Sequence, residues 1–276
     1  SDSLFAILKI LFSEKEAGLV AQLPIKPFTV DRAAAIWKLD KATAQNMLED
    51  LAGRAMLLDM EQNGRQMFCL PPPMAGFFEF SMMRVRGDVN QKALAELYYQ
   101  YLNVEEDFVK ALFVENGTPL GRIFVQEAAL PQDGKLEVLD YERASHIIKT
   151  ASHIGISMCY CRHKMQHLGR ACDAPMDICM TFNTSARSLI KYGHARQVDA
   201  AECLDLLAVA QGHNLVQFGE NTREGVNFIC NCCGCSCYAL RIAELFRSPN
   251  GVSSNFIARV DKDKCVACGQ CVENCQ

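Results

Sequence analysis

Apolar positions in the first part of the chain recur at helical spacing and then change to a hairpin pattern. One helix is expected from Leu4 to Leu23, a second from Val30 to Leu39 capped by Thr29, and a third from Lys41 after the cap Asp40. Ile36 and Leu39 on the second helix, with Ala44, Met47, Leu48 and Leu51 on the third, form one shared apolar face. The segments Met56 to Glu61 and Arg65 to Leu70 then flank Asn63-Gly64, a dipeptide suited to a tight hairpin because both residues accept positive φ.

That order of elements predicts a winged helix-turn-helix over residues 1–86, with the hairpin as its wing. Pro71-Pro72-Pro73 ends the hairpin, and Met74 to Arg86 reads as a connector. Two helical segments follow between Val89 and Phe113, then a strand over Gly121 to Glu127, a turn at Pro131 to Gly134, and a helix from Tyr141 to His153 capped by Asp140. Further on, a strand is expected over Ile156 to Cys161, with Cys159 and Cys161 on one side of its pleat. A helix from Ala200 to Gln211 carries a capping box at Asp199 and Glu202 and a stop at Gly212, and Val226 to Cys230 reads as another strand. The fold class expected is α+β, divided into a winged-helix-like domain (1–86), the helical first part of a central domain (87–155), its mixed cysteine-rich region (156–250) and a terminal cysteine-bearing segment (251–276).

Composition narrows the classes of function. The 276 residues leave room for two or three domains, half of them are hydrophobic, and a net charge of −4 argues against disorder and against a bulk electrostatic grip on nucleic acid. Leu4 to Phe12 is too short, and interrupted by Lys9, to cross a bilayer; with no basic leader in view, a cytoplasmic protein without membrane insertion is expected.

Cysteine changes the picture most. Of fifteen cysteines only Cys69 precedes position 159. Their crowding at Cys230, Cys232, Cys233, Cys235 and Cys237 suits a metal better than disulfides. Together with Cys159, Cys161, Cys172 and Cys179 they make nine central thiols, which fit two clusters, one cluster with structural spares, or zinc. Gly234 and Ser236 suit a loop whose amides approach sulfur closely. Arg162, His163, His167 and Arg170 lie among the ligands, where they neutralise a negative cluster, meet solvent, or dock a partner. Cys69 and Cys203 read as core residues.

The terminal run Cys265, Cys268, Cys271, Cys275 has the C-x2-C-x2-C-x3-C spacing of bacterial ferredoxins, in which three thiolates wrap one 4Fe-4S cube and the fourth points to a neighbouring cluster. The resemblance is to two-cluster ferredoxins. It implies that Cys275 serves a second cluster and that the first takes its fourth ligand from a later motif; Gln276 stands where a proline usually follows, and the chain looks truncated there. From Cys159 onward the sequence resembles ferredoxin-type 4Fe-4S proteins of anaerobic microbes that join a CxCR...C...C...CNCCxCxC region to a terminal ferredoxin module.

The function expected is a relay of low-potential electrons through two or more 4Fe-4S clusters to a redox partner protein, as a carrier or as an oxidoreductase component. The alternative is a redox-sensing winged-helix transcription regulator. Residues 1–86 hold ten basic and ten acidic side chains, so the basic footprint of DNA binding is missing and DNA is the less favoured partner. The sequence shows no dinucleotide, phosphate-loop or HExxH motif, and the oligomeric state is left open.

Overall fold

The computed structural model describes residues 1–115, 117–131, 138–246 and 252–274. The expected first helix is two: α1 (Asp2–Leu11) and α2 (Glu14–Val20). The chain breaks at Phe12, where the backbone is extended, and Ser13 restarts it with a capping box to Glu16. α3 (Val30–Trp37) is capped by Thr29 and stops two residues early because Lys38 adopts a left-handed conformation. α4 (Lys41–Gly53) is capped by Asp40, and β1 (Leu58–Gln62) pairs antiparallel with β2 (Arg65–Cys69) around Asn63-Gly64, both at positive φ. Ala44, Leu48 and Leu51 are buried on the α4 face that meets α3, as the spacing predicts.

A short turn of helix, α5 (Phe78–Phe80), follows the triple proline, then α6 (Gln91–Tyr99) and α7 (Asp107–Phe113). The apolar core of these segments runs continuously from Ile7 to Phe113 and takes in Tyr160, Leu189, Ala195 and Ile242.

The remainder is built on a seven-stranded sheet: β3 (Gly121–Ile123), β4 (Ile154–Met158), β5 (Asp177–Phe182), β6 (Arg196–Gln197), β7 (Val216–Glu220), β8 (Phe228–Cys232) and β9 (Val252–Ser253), in the order β6-β4-β5-β8-β7-β3-β9. All its pairs are antiparallel except β3 with β9. The helices of this part are α8 (Ala144–Thr150), α9 (Tyr160–His167), α10 (Asn183–Lys191), α11 (Ala200–Gly212), α12 (Tyr238–Phe246) and α13 (Gln270–Asn274).

Side-chain alternation divides the sheet. Ile154, Ile156, Met180, Phe182 and Ile229 join Ile147, Ile148, Cys203 and Leu207 of α8 and α11 in one core. The intervening Cys179, Thr181, Cys230 and Cys232 therefore face the other way, toward α5, α9 and α12. α10 ties the hairpin to the sheet: Ser188 Oγ accepts from the Asp59 amide at 3.1 Å, Lys191 pairs with Asp59, and Arg187 pairs with Glu61 at 2.8 Å.

Several expected elements are corrected. The strand before the first cysteines is Ile154–Met158, and Cys159 caps α9, so Cys159 and Cys161 do not share a pleat face. In place of one helix from Tyr141 to His153 there is a 3-10 turn (Asp140–Glu142) and then α8, with no Asp140 side-chain cap. The strand expected over Gly121 to Glu127 ends at Ile123, and that over Val226 to Cys230 runs from Phe228 to Cys232. Asp199 caps α11, but Glu202 pairs with Arg196 instead of closing the box. Most of the turn expected at Pro131 to Gly134 lies outside the described residues.

Candidate metal centre

Four elements deliver the central thiols to one place. Cys159 precedes α9 and Cys161 lies in its first turn; Cys179 is on β5; Cys230 and Cys232 are on β8; Cys237 immediately precedes α12. Cys159 and Cys237 thus stand at helix N-termini, where backbone amides and the helix dipole favour a thiolate. These six, together with Cys233, Glu79, Tyr160, Arg162, Phe218 and Tyr238, line a cavity of about 70 Å³. That is several times the roughly 10–15 Å³ one water needs. A Cβ on Gly121 would come within 2.1 Å of the Phe218 ring, so only glycine lets this ring lie between β3 and the cavity.

The electrostatics are those of an anion site. Arg162 and Lys164 are both fully buried, and neither forms an ion pair with a carboxylate among the described residues. Arg162 Nη1 donates to the Asn231 carbonyl at 3.0 Å and to Cys233 Sγ at 3.6 Å, while Nε and Nη2 have no partner. Lys164 donates to Asn103 at 3.1 Å and lies over the rings of Tyr99 and Tyr160; burial pulls its pKa down. Unpaired buried cations cost several kcal/mol each, and negative charge on the thiols is what offsets them here. The Tyr160 hydroxyl, also lining the cavity, is buried without a partner.

The thiols already share protons unevenly. Hydrogen bonds from Cys179 and Cys232 hold the Cys230 thiol below its ordinary value. Those from Cys161 and Cys232, with the Ala239 and Leu240 amides, hold Cys237 well below its ordinary value. Burial pushes Cys159 up to about 12, and Glu79, beside the cavity, is raised by burial to about 7 while its carboxylate accepts from Tyr238 at 3.2 Å. Thiolates at this density select soft metals, so the donor set fits an iron-sulfur cluster, which four of the six would hold.

A second set lies at the end of β8. Cys172, Cys233 and Cys235 have their sulfurs within 4.8 Å of one another, Cys233 buried and Cys235 exposed. Cys172 and Cys233 pack with Ile178, Ala210 and Leu215, away from the apolar residues around Cys230, Cys232 and Cys237.

The terminal cysteines are arranged differently. Cys265, Cys268 and Cys271 are all exposed, Ala267 and Gly269 between them adopt positive φ, and Cys271 lies in α13. Cys275 lies outside the described residues. Residues 258–276 match the 4Fe-4S binding domain family. The match supports a 4Fe-4S cluster in this segment. No curated protein and no solved structure matches the chain.

Cys203 is fully buried beneath the sheet and Cys69 is half-buried at the hairpin, consistent with core roles. Of the basic residues among the ligands, Arg162 touches a thiol. His163 Nδ1 donates to the Met82 carbonyl at 2.7 Å and its Nε2 accepts from His167 at 3.2 Å, while Arg170 stacks on Tyr99. Ser236 Oγ lies 3.5 Å from Cys235 Sγ. Sequence reasoning missed Lys164, Glu79 and Asn231. Lys164 had a readable signal, since it stands one helical turn beyond Cys161; Glu79 is brought in from another part of the chain and had none.

Proposed function

We propose that the chain is an electron-transfer protein, or the electron-relaying component of an oxidoreductase, that passes low-potential electrons through at least two 4Fe-4S clusters to a redox partner protein. One cluster belongs to the terminal motif of Cys265, Cys268, Cys271 and Cys275, the other to the central cavity. The observation that carries this reading is the cavity itself: six thiols from four elements around the buried Arg162, which has no carboxylate partner among the described residues. A cluster bound there supplies one-electron chemistry without proton or group transfer. Phe218, Tyr160 and Tyr238 exclude water from it, Cys159 and Cys237 are oriented by helix starts, and Arg162 and Lys164 favour the more negative state.

The helices and hairpin of residues 1–86 are read as a winged helix acting as a docking module. Its wing is engaged by Arg187 and Lys191 of α10, which supports a packing role over a DNA-binding one. No helix among the described residues is long and apolar enough to cross a membrane.

The test is iron, acid-labile sulfide and EPR on anaerobically purified, dithionite-reduced protein. The expected result is about eight irons and eight sulfides per chain with mutually broadened reduced-cluster signals. Zinc without labile sulfide would overturn it.

A further inference from the structure

The nine central thiols do not form one group. Six line the cavity, and the remaining three, Cys172, Cys233 and Cys235, meet beside it; Cys233 also lines the cavity wall, while Cys235 is exposed. Cys172 comes from the loop between α9 and β5; Cys233 and Cys235 come from the turn between β8 and α12. Cys233 Sγ lies 3.6 Å from Cys172 Sγ and 3.5 Å from Cys235 Sγ. Three thiolates on a single tetrahedral ion, each at about 2.3 Å, are separated by about 3.8 Å, so the trio already has nearly the spacing of one metal ion.

We propose that Cys172, Cys233 and Cys235 hold one zinc(II) ion, separate from the cluster site of the other six thiols although Cys233 borders the same cavity, with its fourth position open to solvent. No fourth histidine, cysteine or carboxylate donor among the described residues joins the trio, which leaves that position to water. An independent observation points to the same place. The buried Arg162 guanidinium directs Nη1 at Cys233 and leaves Nε and Nη2 without partners. Three thiolates and a divalent ion carry a net charge of −1, which this guanidinium offsets. Arg162 also lines the cavity with Cys159, so one cation serves both groups of thiols. Ion entry follows the exposed side at Cys235, and binding releases the protons that the thiols hold.

This assignment does not rest on the electron-transfer reading. The test is metal analysis of the anaerobically purified full chain and of Cys235→Ser and Cys172→Ser, with zinc-edge X-ray absorption on the unaltered protein. The expected result is about one zinc per chain bound by three sulfurs at about 2.3 Å and one oxygen. Each variant then loses most of that zinc while iron, sulfide and the EPR signals stay unchanged. Zinc absent from the unaltered protein, zinc with another ligand set, or variants that lose iron and sulfide instead would overturn it. Variants that retain the zinc would do the same. If either variant fails to fold, the absorption spectrum of the unaltered protein decides. Zinc in this coordination without labile sulfide would sustain the assignment while refuting the relay.

Discussion

The central cavity and the terminal segment use the same thiol chemistry in opposite settings. The cavity gathers ligands from α9, β5, β8 and the start of α12, buries them, and surrounds them with aromatic rings and the buried Arg162. The terminal segment spaces its cysteines within eleven residues, and Cys265, Cys268 and Cys271 are exposed on a chain with little apolar cover. A site of the first kind is part of the fold's core, so its ligands, charge and stability are bound together. One of the second kind is a local loop, so its ligands can be lost without disturbing anything else.

The largest test of that difference is Arg162→Met. Removing a buried cation that faces thiolates leaves their charge uncompensated, at a cost of about 3–5 kcal/mol. Iron analysis and anaerobic thermal unfolding should show the central cluster lost, the unfolding midpoint lowered and the terminal cluster retained. Unchanged iron and stability would mean that the guanidinium is not holding an anion.

Next in size is the paired substitution Cys230→Ser and Cys265→Ser. The first is expected to remove about half the iron and to lower the midpoint, since it empties a core cavity. The second removes a similar amount of iron while shifting stability by no more than about 0.5 kcal/mol, as for other exposed positions. Equal effects on stability would erase the contrast.

How much of this could be read from the sequence follows from the same contrast. The terminal motif was legible because its ligands are neighbours in the chain and their spacing alone determines the loop. The hairpin at Asn63-Gly64 and the caps Thr29, Asp40 and Asp199 were legible for the same reason: each is settled by two to four consecutive residues. The cavity was legible only as a tally of cysteines. Sequence spacing put Cys159 and Cys161 on a strand, whereas tertiary packing ends the strand at Met158 and turns the chain into α9. The grouping of Cys233 with Cys172 and Cys235 arises from the end of β8 and the turn after it, where Cys233 packs with Ile178, Ala210 and Leu215 while Cys230 and Cys232 pack with Phe218 and Phe228.

A smaller effect concerns the joint between the hairpin unit and the sheet. His194 is buried with Nε2 donating to the Gly53 carbonyl at 2.9 Å, and burial holds its pKa down to about 4. The folded protein therefore keeps this histidine neutral where the unfolded chain protonates it. Stability from this source is complete above about 6.5 and falls as pH drops toward about 4, by up to about 3 kcal/mol. Denaturant unfolding across that range should show the decline, and His194→Gln should flatten it. The smallest effect is at the hairpin: Lys191→Ala breaks the ion pair to Asp59 and, because Lys191 is half exposed, should cost at most about 1 kcal/mol with iron content unchanged.

The central claim, that the buried cavity holds a cluster of its own, is tested most directly by removing the terminal one. In the variant Cys265→Ala, Cys268→Ala, Cys271→Ala, Cys275→Ala, purified without oxygen, the account predicts about four irons and four labile sulfides per chain, with the EPR signal of a single reduced 4Fe-4S cluster. A folded variant with neither iron nor labile sulfide would contradict it.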